Sequence, residues 1–115
     1  MKGNLKLNTT YPVSAKKVRL SIIIGDGNLG TTVVMLEEDI LGIGTITDLE
    51  LGKGSTLKGK ALRTKTVVTD FNDKTQDLSV TYNMEGGEHP FSFTLNATTE
   101  SVGASENFYA EIQFV

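Results

Sequence analysis

From Leu78 to Val115 the chain alternates apolar and polar side chains almost without interruption. Leu78, Val80, Tyr82 and Met84 fall on one face, against Ser79, Thr81 and Asn83. Phe91, Phe93, Leu95 and Ala97 alternate with Ser92, Thr94 and Asn96, and Phe108, Ala110, Ile112 and Phe114 with Tyr109, Glu111 and Gln113. A period of two sends successive side chains to opposite faces of a strand, so each segment needs one buried face and one wet face. The aromatics at 91, 93, 108 and 114 are therefore expected in the core.

The first half supports the same class. Val18, Leu20, Ile22 and Ile24 form a strong strand, and Ile23 makes its other face partly apolar, which favours a central or covered position. Thr31–Leu36 is rich in β-branched residues, and Thr45–Leu51 reads as another strand. Gly25-Asp26-Gly27-Asn28, Lys53-Gly54-Ser55, Asn72–Asp77 and Glu85-Gly86-Gly87-Glu88 carry turn chemistry. Glu37-Glu38-Asp39 is a charged loop or a single helical turn, followed by Ile40-Leu41 and a flexible Gly42-Ile43-Gly44. Lys58 and Lys60 share a parity that Arg63 and Lys65 do not, and a bulge near Ala61-Leu62 would keep all four in water.

Seven or eight strands with short connections and no long helix predict an all-β, antiparallel β-sandwich, with a small antiparallel barrel as the alternative. The last three strands are expected to form a meander. Edges near Leu57–Val68 or Phe108–Val115 would then be open to a neighbour. Residues 1–17 read as a loosely held arm or an edge strand, because Pro12 removes a backbone donor.

At 115 residues the chain suits one domain with a core of its own. A net charge of -3 argues against general attraction to nucleic acid or an anionic membrane. Without cysteine there is no disulfide framework, thiolate nucleophile or sulfur metal site. Met1–Tyr11 lacks the apolar stretch of a signal segment and Ile22–Ile24 is far short of a membrane span, which tilts the expectation toward the cytoplasm.

Gly25-Asp26-Gly27-Asn28-Leu29-Gly30 spells G-x-G-x-x-G directly after a strand, and Asp48 and Glu50 follow about twenty residues later, where a dinucleotide-binding fold places its ribose acid. That chemistry needs a helix beginning in the loop, whose free amides hold pyrophosphate. Thr31-Thr32-Val33-Val34 would put four β-branched residues in its first turns, where they lose side-chain freedom. A turn ending a hairpin is the simpler expectation.

Asp70, Asn72, Asp73 and Asp77 gather oxygens in one loop, and Asp26 and Asn28 could join them if the fold brings the loops together. A hard cation such as calcium takes six to eight oxygens, so these six residues form the candidate metal set, and calcium is the one cofactor considered. EF-hand spacing fails, because Thr75 stands where glycine is needed.

Lys53, Lys58, Lys60, Arg63 and Lys65 place five of the 11 basic residues within one segment free of acids. With Phe71 and Tyr109, both expected to face outward, they form the candidate partner surface. No aromatic interleaves with these charges, which argues against nucleic acid and leaves a protein partner or self-association. Lysines on a solvent face also keep a sheet soluble.

His89 is the only histidine. It sits beside Pro90 with no acid clearly placed to orient it and no nucleophile-elbow pattern, so a triad has little to build on. The sequence points to a noncatalytic structural or protein-interaction module, self-associating through an open edge. A loop-end module for calcium or carbohydrate is the second reading, and a dinucleotide-binding enzyme fragment the third.

Overall fold

The structure is a computed structural model, and it describes residues 5–115. Among them nine strands run in chain order: β1 Lys6–Tyr11, β2 Lys17–Ile24, β3 Leu29–Leu36, β4 Asp39–Gly44, β5 Ile46–Lys53, β6 Ala61–Thr69, β7 Asp77–Glu85, β8 Phe91–Thr98 and β9 Ser105–Phe114. One helical turn, α1 Gly54–Leu57, separates β5 from β6. The strands form two sheets, β1-β9-β6-β3-β4 and β5-β2-β7-β8, and neither closes into a barrel. Every pairing is antiparallel except β1 with β9. The domain is an all-β sandwich, and no helix among the described residues is long and apolar enough to cross a membrane.

The period-two pattern explains the core. Leu62, Val68, Phe108, Ile112 and Phe114 point inward from the five-stranded sheet. Val18, Leu20, Leu78, Val80, Tyr82, Met84 and Leu95 meet them from the other. Burial removes each of these side chains from water and stabilises the pair of sheets by about 1.5–3 kcal/mol per large residue. Tyr11 closes one end: its hydroxyl donates to the His89 carbonyl at 2.8 Å and accepts from the Gly87 amide at 3.0 Å. These bonds tie β1, an edge strand, to the β7–β8 turn of the opposite sheet.

Several expectations change. β7 and β8 pair as foreseen, but β9 crosses to the other sheet and runs between β1 and β6, so the last three strands are not a meander. The proposed edges at Leu57–Val68 and Phe108–Val115 do not exist, since β6 and β9 are interior strands. No bulge marks Ala61-Leu62, and β6 pairs with both neighbours in continuous register. Instead α1 and the Lys58–Lys60 turn absorb the change of parity. Gly25–Asn28 carries the chain between the sheets rather than closing a hairpin, with Asp26 at φ 61° and Gly27 at φ 71°. Gly42-Ile43-Gly44 belongs to β4. Phe108 and Phe114 are buried and Phe91 half-buried, but Phe93 is 40% exposed because β8 has no neighbour on one side.

The core also holds four inward hydroxyls. Thr32 Oγ1 and Thr66 Oγ1 bond to each other at 2.8 Å across β3 and β6. Thr64 Oγ1 and Tyr82 Oη are buried without a bonded partner among the described residues. Burial pushes the Tyr82 phenol up to about 12, and the nearby Thr64 and Thr66 hydroxyls offset only part of that. The neutral phenol is thus favoured in the folded state. Stability is unaffected below pH 10 and declines between about pH 10 and 12, where the unfolded chain loses this proton first, by up to about 2–3 kcal/mol. Tyr82→Phe is expected to lack that share of the alkaline decline. Denaturant midpoints of the two proteins compared across this range check it; parallel decline of both would contradict the assignment.

Candidate functional site

Two regions collect most of the residues singled out by sequence. The first is the sandwich end where the β2–β3, β6–β7 and β8–β9 connections meet. Asn28 is buried there, and its Oδ1 accepts from the backbone amides of Phe71 at 2.9 Å and Asn72 at 3.2 Å. Its Nδ2 donates to the Asp77 carbonyl at 3.1 Å. Asn72 returns the tie, donating from Nδ2 to the Asp26 carbonyl at 2.9 Å and accepting from the Lys74 amide at 3.0 Å. Asp70 is fully buried: Thr99 Oγ1 donates to its Oδ2 at 2.8 Å, while its backbone bonds to Ala104 and Gly103 of the last loop. Asp70 Oδ1 has no partner among the described residues.

The loops that carry the six candidate metal residues therefore meet, but Asn28, Asn72 and Asp70 spend side-chain atoms on tying them together. The side-chain oxygens of Asn28 and Asn72 face backbone amides, and Asp26, Asp73 and Asp77 are exposed. Among the described residues no three acids, histidines or cysteines converge as a metal would require. The helix that pyrophosphate binding needs is not formed either, because β3 starts at Leu29. Phe71 is exposed at this end, beyond β6, and does not join the basic residues.

The second region is the outer face of the five-stranded sheet. Strand register sets its side chains in rows. One row runs Lys6, Tyr109, Lys65, Val33, Ile43, and the next runs Asn8, Glu111, Arg63, Met35, Ile40. Arg63 Nε donates to Glu111 Oε1 at 2.7 Å, and Lys65 forms no ion pair among the described residues. A shallow groove of about 520 Å³ crosses β1, β9 and β6, lined in part by Lys6, Asn8, Arg63, Tyr109 and Glu111.

The apolar half of the face depends on one irregularity. Ile40 and Ile43 are three residues apart, so a regular strand would turn one inward. The β3–β4 register shifts between Val34 and Met35, and the extra residue at Leu41 puts Ile40 opposite Met35 and Ile43 opposite Val33. Both isoleucines consequently face solvent, at 58% and 67% exposure, while Leu41 packs toward the core. Gly42 faces inward, where a Cβ would crowd Leu49 and Ile46. These apolar residues escaped sequence reasoning, because spacing alone does not show a bulge; the mismatched Ile40 and Ile43 parity was the available signal.

The other outer face differs. Ser21, Ser79, Thr81, Asn83, Ser92, Thr94 and Asn96 cover it, with Ile23 as its exposed aliphatic residue. Of the basic segment, only Arg63 and Lys65 reach the apolar face. Lys53 ends β5 in the opposite sheet, and Lys58 and Lys60 lie in the turn before β6. His89 is exposed, its ring edge-on to Tyr11 at 6.2 Å. The chain matches no family model, no curated protein and no solved structure.

Proposed function

We propose that this domain is a noncatalytic protein-binding module whose contact surface is the outer face of β9, β6, β3 and β4. The observation that carries the reading is the Leu41 bulge, which turns two isoleucines into water beside Val33 and Met35 when a regular strand would bury one. An exposed apolar patch rimmed by charge is the usual anatomy of a contact site, with its aromatic anchor here in Tyr109. Lys65 beside Tyr109 favours a partner that sets acidic side chains next to an apolar strip.

Peptides selected by display on the immobilised protein test this. Binders are expected to pair apolar residues with Asp or Glu and to weaken with added salt. Their affinity should fall about tenfold or more for the Ile40→Ser/Ile43→Ser double variant. Both positions are exposed, so its unfolding midpoint should barely move. Binders indifferent to the double variant would refute the assignment.

A further inference from the structure

The two sheets have four edge strands, and three of them are guarded. β4 is short, bulged and ends in Gly44 at φ 105°. β5 carries Asp48, Glu50 and Lys53, and its register with β2 shifts twice. β1 is six residues long, begins with Lys6 and runs into Pro12. Charge, bulges, proline and short length are the devices that stop a sheet edge from recruiting another strand. β8 has the fewest: Pro90 precedes it as Pro12 follows β1, but its eight residues, Phe91–Thr98, contain no charge, glycine or proline and pair with β7 without a shift.

The sequence of β8 also suits one partner. β7 contains Ser79-Val80-Thr81-Tyr82-Asn83 and β8 contains Ser92-Phe93-Thr94-Leu95-Asn96, the same Ser-x-Thr-x-Asn pattern twice. In the antiparallel pair Ser79 faces Asn96, Thr81 faces Thr94 and Asn83 faces Ser92, and the two threonine hydroxyls bond at 2.8 Å. The strand that β8 already accepts on one side thus carries its own motif. A second β8, antiparallel and centred on Thr94, would repeat these juxtapositions on the open side: Ser92 against Asn96, Thr94 against Thr94. It would also set Leu95 of each copy against Phe93 of the other, the inward residue that this edge leaves 40% exposed.

We propose that β8 pairs with β8 of a second copy, joining two four-stranded sheets into one of eight strands around a twofold axis at Thr94. Antiparallel pairing of like strands closes at two copies, because each contributes the least guarded edge among its described strands. This contact lies on the sheet opposite the proposed partner face, so either can fail without the other.

Sedimentation of the intact protein over a concentration series tests the proposal, together with two variants of the exposed Thr94, whose side chain makes one exposed bond within the monomer. The parent chain should pass from monomer to dimer as concentration rises. Thr94→Lys places like charges directly opposite each other at the axis and should remain monomeric and cooperatively folded, its midpoint lowered only by the loss of the exposed Thr81–Thr94 bond. Thr94→Cys, in a chain without other cysteines, should form a disulfide-linked dimer on mild oxidation, because directly opposed strand residues lie within about 4.5–5.5 Å. A parent chain that stays monomeric at its highest soluble concentration would overturn the proposal, as would a Thr94→Lys variant that dimerises like the parent.

Discussion

Deleting Phe108–Val115 is expected to abolish cooperative unfolding. β9 lies between β1 and β6, so its loss strips both of a hydrogen-bonded neighbour and removes Phe108, Ala110, Ile112 and Phe114 from the core. The single substitution Phe108→Ala isolates the packing part. Its ring is fully buried, and truncation there should cost about 3–5 kcal/mol from lost transfer energy and the cavity left behind. A domain of this kind is stable by about 5–15 kcal/mol in total, so the point variant should fold weakly and the deletion not at all. Denaturant titration followed by near-ultraviolet circular dichroism separates these outcomes. A truncated chain that kept the parent's cooperative transition would place β9 outside the core.

The second large effect is expected at Asn28. Its side chain fills three bonds to the backbone, from Phe71 and Asn72 and to Asp77, at a buried position. Asn28→Ala leaves two amides and a carbonyl to find other partners and should cost about 2–4 kcal/mol. Asn28→Asp keeps the acceptor for both amides but sets a carboxylate oxygen against the Asp77 carbonyl, so it should recover only part of the loss. Amide exchange reads the effect locally. Protection of Phe71 and Asn72 should fall in both variants, to near that of a frayed loop, while strand amides of β2 and β7 should lose no more than the global destabilisation accounts for. Equal protection in Asn28→Ala would show that the loops hold together by other means.

Asn28 also shows where sequence reading reached its limit. By pattern its amide belongs with Asp26, Asp70, Asn72, Asp73 and Asp77 as a cation shell, because oxygen-rich loops look alike whether their oxygens face an ion or a backbone amide. Only the fold decides which. The loops do gather at one end, as that reading required, but the asparagines bind the chain itself. The core was more legible. Period-two alternation placed Leu78, Val80, Tyr82, Met84, Phe108 and Phe114 inside, since each strand there is regular and half-covered. Phe93 shares that parity and yet stays partly exposed, because parity assigns a face and not a place within the sheet. Strand order was the least legible element. Short links suggested that neighbours in sequence pair, whereas the β8–β9 connection crosses between sheets and the N-terminal β1 lies parallel beside β9.

The contact face follows the same logic. Arg63, Lys65 and Tyr109 stand out in the sequence by charge and by parity, and register sets Lys65 opposite Tyr109. Val33, Met35, Ile40 and Ile43 do not stand out, since each belongs to a segment whose facing the local pattern leaves open. A bulge of one residue reversed the facing of everything before it in β4.

Chemical-shift mapping with small apolar probes such as phenol and isopropanol tests the contact face most directly, because it needs no known partner. The methyls of Val33, Met35, Ile40 and Ile43 and the ring of Tyr109 are expected to shift together and saturably. Probes gathering instead at Phe71, Leu29 and Val102, with those methyls unmoved, would contradict the account.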